Sequence, residues 1–485
     1  MRPLINAMRM EKITKLKDDP VLRTVFEAVN ALGVEGYLVG GVLRNLFLSS
    51  PLGFDYDIAL SGKAKNVADI LADRLNGSAF LLDKELGFYR INVKKDSGIF
   101  EIDLSPYKGD SIIDDVKNRD FTINAVAVNI KALFKDGKVA IIDMFDGRGD
   151  ALKKIIRAVK EDVFDDDPLR LLRAVRLSAQ YNLTIENNTD GLIKKKAELL
   201  AQSSWERIRD EFFAILSCAR SYQHLERLHE LSLLRIIIPE SNSWKVLYDY
   251  DLMSHTLKTL REGEELLTNL SKFTPEFVDN IKAYLKIPLG NISIESLFKF
   301  ALFLHDAGKP LTMKRDEERI RFIGHELEGE TICKGIGKRL KLSRSAIGFI
   351  ARLVRNHHRV FNLASLDKPT NRSKAHLFRV MGDGYGLLLV LLALADARAT
   401  RNGDDPELAS LVKGLIEFYY KVYTVVKPRP VLNGSEIMEI FDIPEGVMIG
   451  KILKILAEAE GEGTIKTRPD AIKFIEGWLK AKQNK

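Results

Sequence analysis

Up to about residue 150, short apolar or alternating runs (YLVGG, FDYDIAL, FYRINV, IFEIDL, VAIIDMF) are interleaved with helical patterns such as NVADILADRLNG. Period-two runs of this length read as strands, and their mixture with helices predicts a small α/β unit. From about residue 151 the period changes to that of amphipathic helices, as in ALKKIIRAVK, LRLLRAVRLSAQ and WERIRDEFFAILSCA. The fold class expected for the whole chain is therefore α+β, an α/β head followed by an all-helical remainder. Clusters of Pro, Gly and Asn at 236–244, 284–293 and 425–435 mark breaks between elements. They divide the chain into expected segments 1–150, 151–240, 241–425 and 426–485.

A length of 485 residues supports this division, because single cores stop growing beyond about 250 to 300 residues. Hydrophobic residues make up 46% and charged residues 29%, a composition that buries substantial cores and argues against extended disorder. The balance of 74 Lys plus Arg over 67 Asp plus Glu gives a net charge of +7, compatible with a polyanionic partner. Only Cys218 and Cys333 are present, which excludes a disulfide framework and a Cys-rich zinc site and fits a reducing compartment. Charges interrupt every apolar run of the opening segment, and no later run reaches spanning length, so no membrane partner and a cytoplasmic location are expected.

The chemistry begins where YLVGG meets VLRNLFL. A strand ending at Gly40 and Gly41, with a helix starting there, lets backbone amides approach a phosphate, and Arg44 lies one turn in. In DYD, Asp55 and Asp57 are two apart and share a strand face. Two anions so placed repel unless a cation lies between them. Glu101 and Asp103 share a face in the same way, with Ile102 and Leu104 on the other. Carboxylates on neighbouring strands form an oxygen site suited to Mg²⁺, the ion that assists in-line transfer from a nucleoside triphosphate.

Taken in order, GGVLR, DYD and the acidic strand resemble the head of the DNA polymerase beta superfamily, in its class II tRNA nucleotidyltransferase and bacterial poly(A) polymerase branch. The stretch NRDFTINAVAV at 118–128, which by itself reads as a loop entering a strand, resembles that branch's next motif. The resemblance implies catalytic roles for Asp55, Asp57 and Asp103, with Mg²⁺ on the first two, and nucleotide-binding roles for Gly40, Gly41, Arg44, Arg119, Asp120 and Asn124. Asn45 stands where the family usually has Asp, and Asn118 replaces the first of its paired arginines.

In DDDPLRLLRAVRLSAQ, Pro168 and the acidic first turn predict the start of a helix, with Asp167 and Arg170 on one side. An acceptor beside a planar fork of donors matches the amino group and unprotonated ring nitrogen shared by adenine and cytosine, and opposes guanine and uracil. The stretch resembles the family's base-reading motif, which implies that protein side chains select ATP and CTP. Arg173 and Arg176 extend the basic side of this helix toward phosphates of nucleotide or primer.

Further on come His255, His305 with Asp306, His325, His357 and Asp396, each near a helical pattern. This order resembles an HD phosphohydrolase domain. By that resemblance His255, His305, Asp306 and Asp396 bind one divalent metal (Mg, Mn, Ni or Co), and His325 and His357 a second, with His358 as the competing last ligand. The segments then become a nucleotidyltransferase head, a helical neck and body carrying the base-reading motif, an HD domain and an RNA-binding tail. The expected function is addition of all or part of the 3′-terminal CCA to tRNA from CTP and ATP. A poly(A) polymerase with the same residues, and an HD phosphodiesterase or phosphatase as the main activity, are the alternatives.

Overall fold

The computed structural model describes residues 13–483, apart from 52, 54, 96, 97, 136–138, 140, 245, 248, 249, 316–319, 383, 402, 425–430, 462, 463 and 466. The opening segment, Phe54 beside the aspartate pair and most of the Pro-rich break at 425–435 lie outside the described residues. The chain forms two compact units, Met1–Glu211 with Glu230–Ile236, and Phe212–His229 with Ile237–Lys485.

The first unit is built on a seven-stranded sheet of β1 (Gly36–Val39), β2 (Asp55–Leu60), β3 (Ser78–Asp83), β4 (Phe88–Lys95), β5 (Gly98–Pro106), β6 (Ala127–Asn129) and β7 (Ile141–Ile142), in the order β3-β4-β5-β2-β1-β6-β7. β2 and β5 run parallel and the other neighbouring pairs antiparallel. All five expected strands form, although VAIIDMF yields only the two residues of β7. β3 carries no period-two alternation and was not expected. Its Phe80, Leu81 and Leu82 are about half exposed, as an edge strand permits.

Burial fixes the face of each strand. Ile58, Ile102 and Leu104 are fully buried, which turns the intervening carboxylates of β2 and β5 the other way. The helix Pro20–Ala31 covers the sheet with Val21, Leu22, Val25, Ala28 and Val29, a spacing of one helical face. Its cap, Asp19, accepts from the Val21 and Leu22 amides through Oδ1, and its Oδ2 accepts from the Tyr56 hydroxyl at 2.7 Å. One carboxylate therefore starts a helix and pins the start of β2.

The base-reading segment departs from expectation. Its helix spans Arg170–Tyr181, whereas Asp165 and Asp166 end a separate short helix, Val163–Asp166. Asp167 is extended between them (φ −151°, ψ 100°), because the ring of Pro168 excludes helical geometry from the residue before it.

The second unit is mainly helical, around Leu252–Thr268, Ile294–Leu304, His325–Arg339, Arg344–Asn356 and Tyr385–Arg401. It is not all-helical as expected: among the described residues three short antiparallel pairs, Val246–Leu247 with Tyr250–Asp251, Pro288–Leu289 with Ile292–Ser293 and Lys314–Arg315 with Ile320–Arg321, interrupt the helices. Lys299, although buried, is compensated by Glu264 at 3.1 Å and the Cys218 carbonyl at 3.0 Å. Near the carboxyl end, Gly434–Phe441, Val447–Gly461 and Arg468–Gln483 share their own apolar cluster around Ile437, Ile452, Leu456 and Ile475. Asn433 and Glu436 form a reciprocal cap at its start. Among the described residues no single helix is long and apolar enough to cross a membrane.

Candidate active site and metal centre

Parallel pairing of β2 with β5 sets Asp55 opposite Glu101 and Asp57 opposite Asp103, so four carboxylates occupy one face. Antiparallel β4 sets Arg90 opposite Asp103. Arg90 grips both Asp103 oxygens, at 2.7 and 2.8 Å, and reaches Glu101 at 2.7 Å. The third carboxylate thus has a resident countercharge, whereas among the described residues Asp55 and Asp57 form no ion pair.

Asp57 lies directly beneath the glycine turn. Its Oδ2 accepts from the Gly41 amide at 3.2 Å. Gly40 has φ +70°, and a Cβ added there would lie 2.3 Å from the same oxygen. Only glycine meets both demands. Burial pushes the Asp57 carboxyl up from its ordinary range, opposed by Arg119 and the Gly41 N–H. Asp55 is exposed at the strand's start. A largely desolvated carboxylate beside an open one is a donor set that fits a hard divalent cation approached from solvent.

The predicted phosphate cations are tied into a network. Arg44 donates to Asn124 at 3.0 Å, to Tyr181 at 2.7 Å and to Asn45 at 3.1 Å, with its guanidinium 4.5 Å from the Tyr181 ring centre. Asn45, where the family usually has Asp, is thereby a neutral acceptor for Arg44. Asp120 accepts from Asn124 at 2.9 Å and from the Phe121 amide at 2.8 Å, with Arg173 at 3.4 Å. Its burial alone would raise the pKa, yet Arg173 and these donors hold it below the ordinary value. Arg119 pairs with Asp115, and Arg176 with Glu211 and Gln180. These arginines order the walls of the site at least as much as they present charge to it.

Asp167 and Arg170 line a cleft of about 340 Å³ together with Lys108, Gly109, Asn118 and Asp166. Asp167 Oδ2 accepts from Arg207 at 2.8 Å. Arg170 is buried and donates to the Val163 and Asn118 carbonyls at 3.1 and 3.0 Å, which fixes the plane of its fork. Asp167 and Arg170 meet here although they do not share a helix face. Sequence reasoning missed Arg90, Lys108 and Arg207. Arg207 lies in WERIRDEF, a stretch whose amphipathic period suggests packing alone.

In the second unit the histidines converge. His255 Nε2 and His305 Nε2 are 3.3 Å apart, each 3.2 Å from Asp306 Oδ2, and Asp396 Oδ1 lies 3.2 Å from His255. His325 Nε2 and His357 Nε2 are 3.1 Å apart, at 3.3 and 3.6 Å from Asp306 Oδ1. The Nδ1 atoms of His305, His325 and His357 lie 2.9, 2.6 and 2.7 Å from the carbonyls of Leu302, Phe322 and Val354. Such contacts make Nδ1 a donor and aim the Nε2 atoms inward. His255, His305 and Asp396 form one group able to hold an ion, and His325, His357 and His358 another. Both candidate histidines thus adjoin the second position. Despite burial, Asp306 and Asp396 raise the His305 imidazole to about 10.

Residues 36–157 match the family described as Poly A polymerase head domain, 182–245 that described as "Probable RNA and SrmB- binding site of polymerase A", and 281–401 the HD domain. His255 lies outside the last of these. The A-adding tRNA nucleotidyltransferase of Deinococcus radiodurans is 30% identical over 453 residues, 91% of this chain and 95% of that protein. The CC-adding enzyme of Thermus thermophilus is 29% identical over 453 residues, 92% and 94% of the two chains. Among solved structures, a CCA-adding enzyme with CTP superimposes with a TM-score of 0.66 at 20% identity, covering 97% of this chain and 98% of the other. A Thermotoga maritima CCA-adding enzyme complexed with tRNA gives 0.63 at 21% identity, over 97% and 98%. Full-length similarity at this level, on a head, an RNA-binding segment and an HD domain in that order, makes the chain a member of the tRNA nucleotidyltransferase and poly(A) polymerase family, in its HD-containing form.

Proposed function

We propose that this protein is a tRNA nucleotidyltransferase that adds all or part of the 3′-terminal CCA from CTP and ATP in the cytoplasm. The observation that carries the reading is the Asp57 carboxylate, largely desolvated, hydrogen-bonded to the Gly41 amide and aligned with Asp55 on one strand face. Asp55 and Asp57 would hold Mg²⁺, which when bound activates the primer hydroxyl and neutralises triphosphate charge. The Gly40–Gly41 turn lets the triphosphate approach the start of the helix Gly41–Leu48. Arg44, Arg119, Asp120, Asn124, Arg173 and Arg176 hold the surrounding walls, with the arginines supplying positive potential. Asp103, held by Arg90, contributes to the field of the acidic face.

Asp167 accepts from the amino group of cytosine or adenine, and Arg170 donates to the adjacent ring nitrogen. Segments 1–150, 151–240, 241–425 and 426–485 serve as head, neck and body, HD domain and RNA-binding tail. A second activity is favoured by Asp306, whose two oxygens face two histidine groups. His255, His305 and Asp396 would hold one divalent metal and His325 with His357 a second, and such a site hydrolyses phosphate esters.

The test supplies tRNA ending before C74 or after C75, and an unrelated RNA, with each nucleotide alone and both together, and sequences the products. CTP- or ATP-dependent extension confined to tRNA is expected, and Asp55→Asn should abolish it. Long A tails on any RNA would instead identify a poly(A) polymerase.

A further inference from the structure

The cleft around Asp167 and Arg170 has a third charged wall. Lys108 follows β5 on a turn held from both sides. Its backbone N–H donates to Asp115 at 3.2 Å, and the next residue, Gly109, has φ +96° with no room for a Cβ, which would fall 2.8 Å from Asp114 Cβ. The turn places Lys108 in the lining of the cleft.

Neighbouring cations are already engaged. Arg170 is bound to two carbonyls, Lys160 to Asp166 and Asp162, and Arg207 to Asp167. Among the described residues the Lys108 ammonium has no hydrogen-bond or ion-pair partner. Partial loss of water and repulsion from Arg170 lower its pKa. The cleft therefore offers one acceptor, Asp167, and donors from both Arg170 and Lys108.

A second donor separates two bases that Asp167 and Arg170 treat alike. Cytosine presents an amino donor, a ring-nitrogen acceptor and then a carbonyl acceptor. Adenine presents an amino donor, a ring-nitrogen acceptor and then a C–H, which accepts nothing. Resting on the nucleotidyltransferase reading above, we propose that Lys108 is a specificity-determining residue that donates to the exocyclic carbonyl oxygen of cytosine, so that this cleft favours CTP over ATP.

Calorimetric titration of the full chain with CTP and with ATP, in Mg²⁺ and without primer, tests the assignment in wild type, Lys108→Met and Lys108→Arg. Lys108→Met should weaken CTP about tenfold, the loss of one charge-assisted hydrogen bond, while ATP changes less than about twofold. Lys108→Arg should keep the preference, because it keeps a donor. Equal weakening of both nucleotides would put Lys108 on the ribose or triphosphate they share and overturn the proposal, and unchanged CTP binding by Lys108→Met would overturn it too. If wild type binds neither nucleotide, the underlying reading fails and the Lys108 assignment with it, whereas equal weakening leaves that reading standing.

Discussion

Asp57 is held in the state least comfortable for a carboxylate, short of water and close to other acids. A raised acid pKa in the folded chain means that the ionised form opposes folding above that pKa. The opposition vanishes as pH falls and the group takes up a proton. Asp57→Asn should therefore raise the metal-free melting stability at neutral pH, converge with wild type in acid, and lose both Mg²⁺-dependent stabilisation and nucleotide addition. Paired melting curves with and without Mg²⁺ check this, and equal Mg²⁺ stabilisation of the variant would refute it. Gly40→Ala is the steric counterpart. With φ +70° and an oxygen 2.3 Å from the new Cβ, it should move the carboxylate by a fraction of an ångström or more and lower kcat by about a hundredfold. Near-native circular dichroism should separate this from unfolding.

At the scale of elements, pairing converts spacing into a site. Period two made the Asp55–Asp57 face legible in sequence, and the glycine pair announced the turn beneath which Asp57 sits. Arg90 was not legible, because it reaches Asp103 through the register of an antiparallel neighbour, and register is set by burial and turns rather than by local pattern. Asp167 was legible as a residue but not in its setting, since Pro168 ends one helix and lets another begin at Arg170. The histidine series was legible only through its resemblance, because no local period links His255 to His305 across fifty residues. Arg90→Met should leave Glu101 and Asp103 uncompensated beside Asp55 and Asp57. Allowing for solvent screening at a site one-third exposed, the loss in metal-free stability is about 1 kcal/mol. Mg²⁺ binding, measured by calorimetry, should tighten rather than weaken. A general disruption of the sheet would weaken it.

For the whole molecule, the two compact units hold the two candidate sites separately. A combined His305→Ala and Asp306→Ala change should abolish metal-stimulated phosphoester hydrolysis while leaving nucleotide addition intact, and loss of both activities would argue against the assignment. Because a ligating imidazole must give up its proton, and despite burial Asp306 and Asp396 favour the protonated form of His305, metal loading of this unit should release protons and strengthen as pH rises, an effect direct metal titration can read. Asp306 turns one oxygen to each histidine group. In a lineage that drifts at this position, both positions of the centre would therefore decay together. The surviving histidines would then record an abandoned activity rather than a partial one.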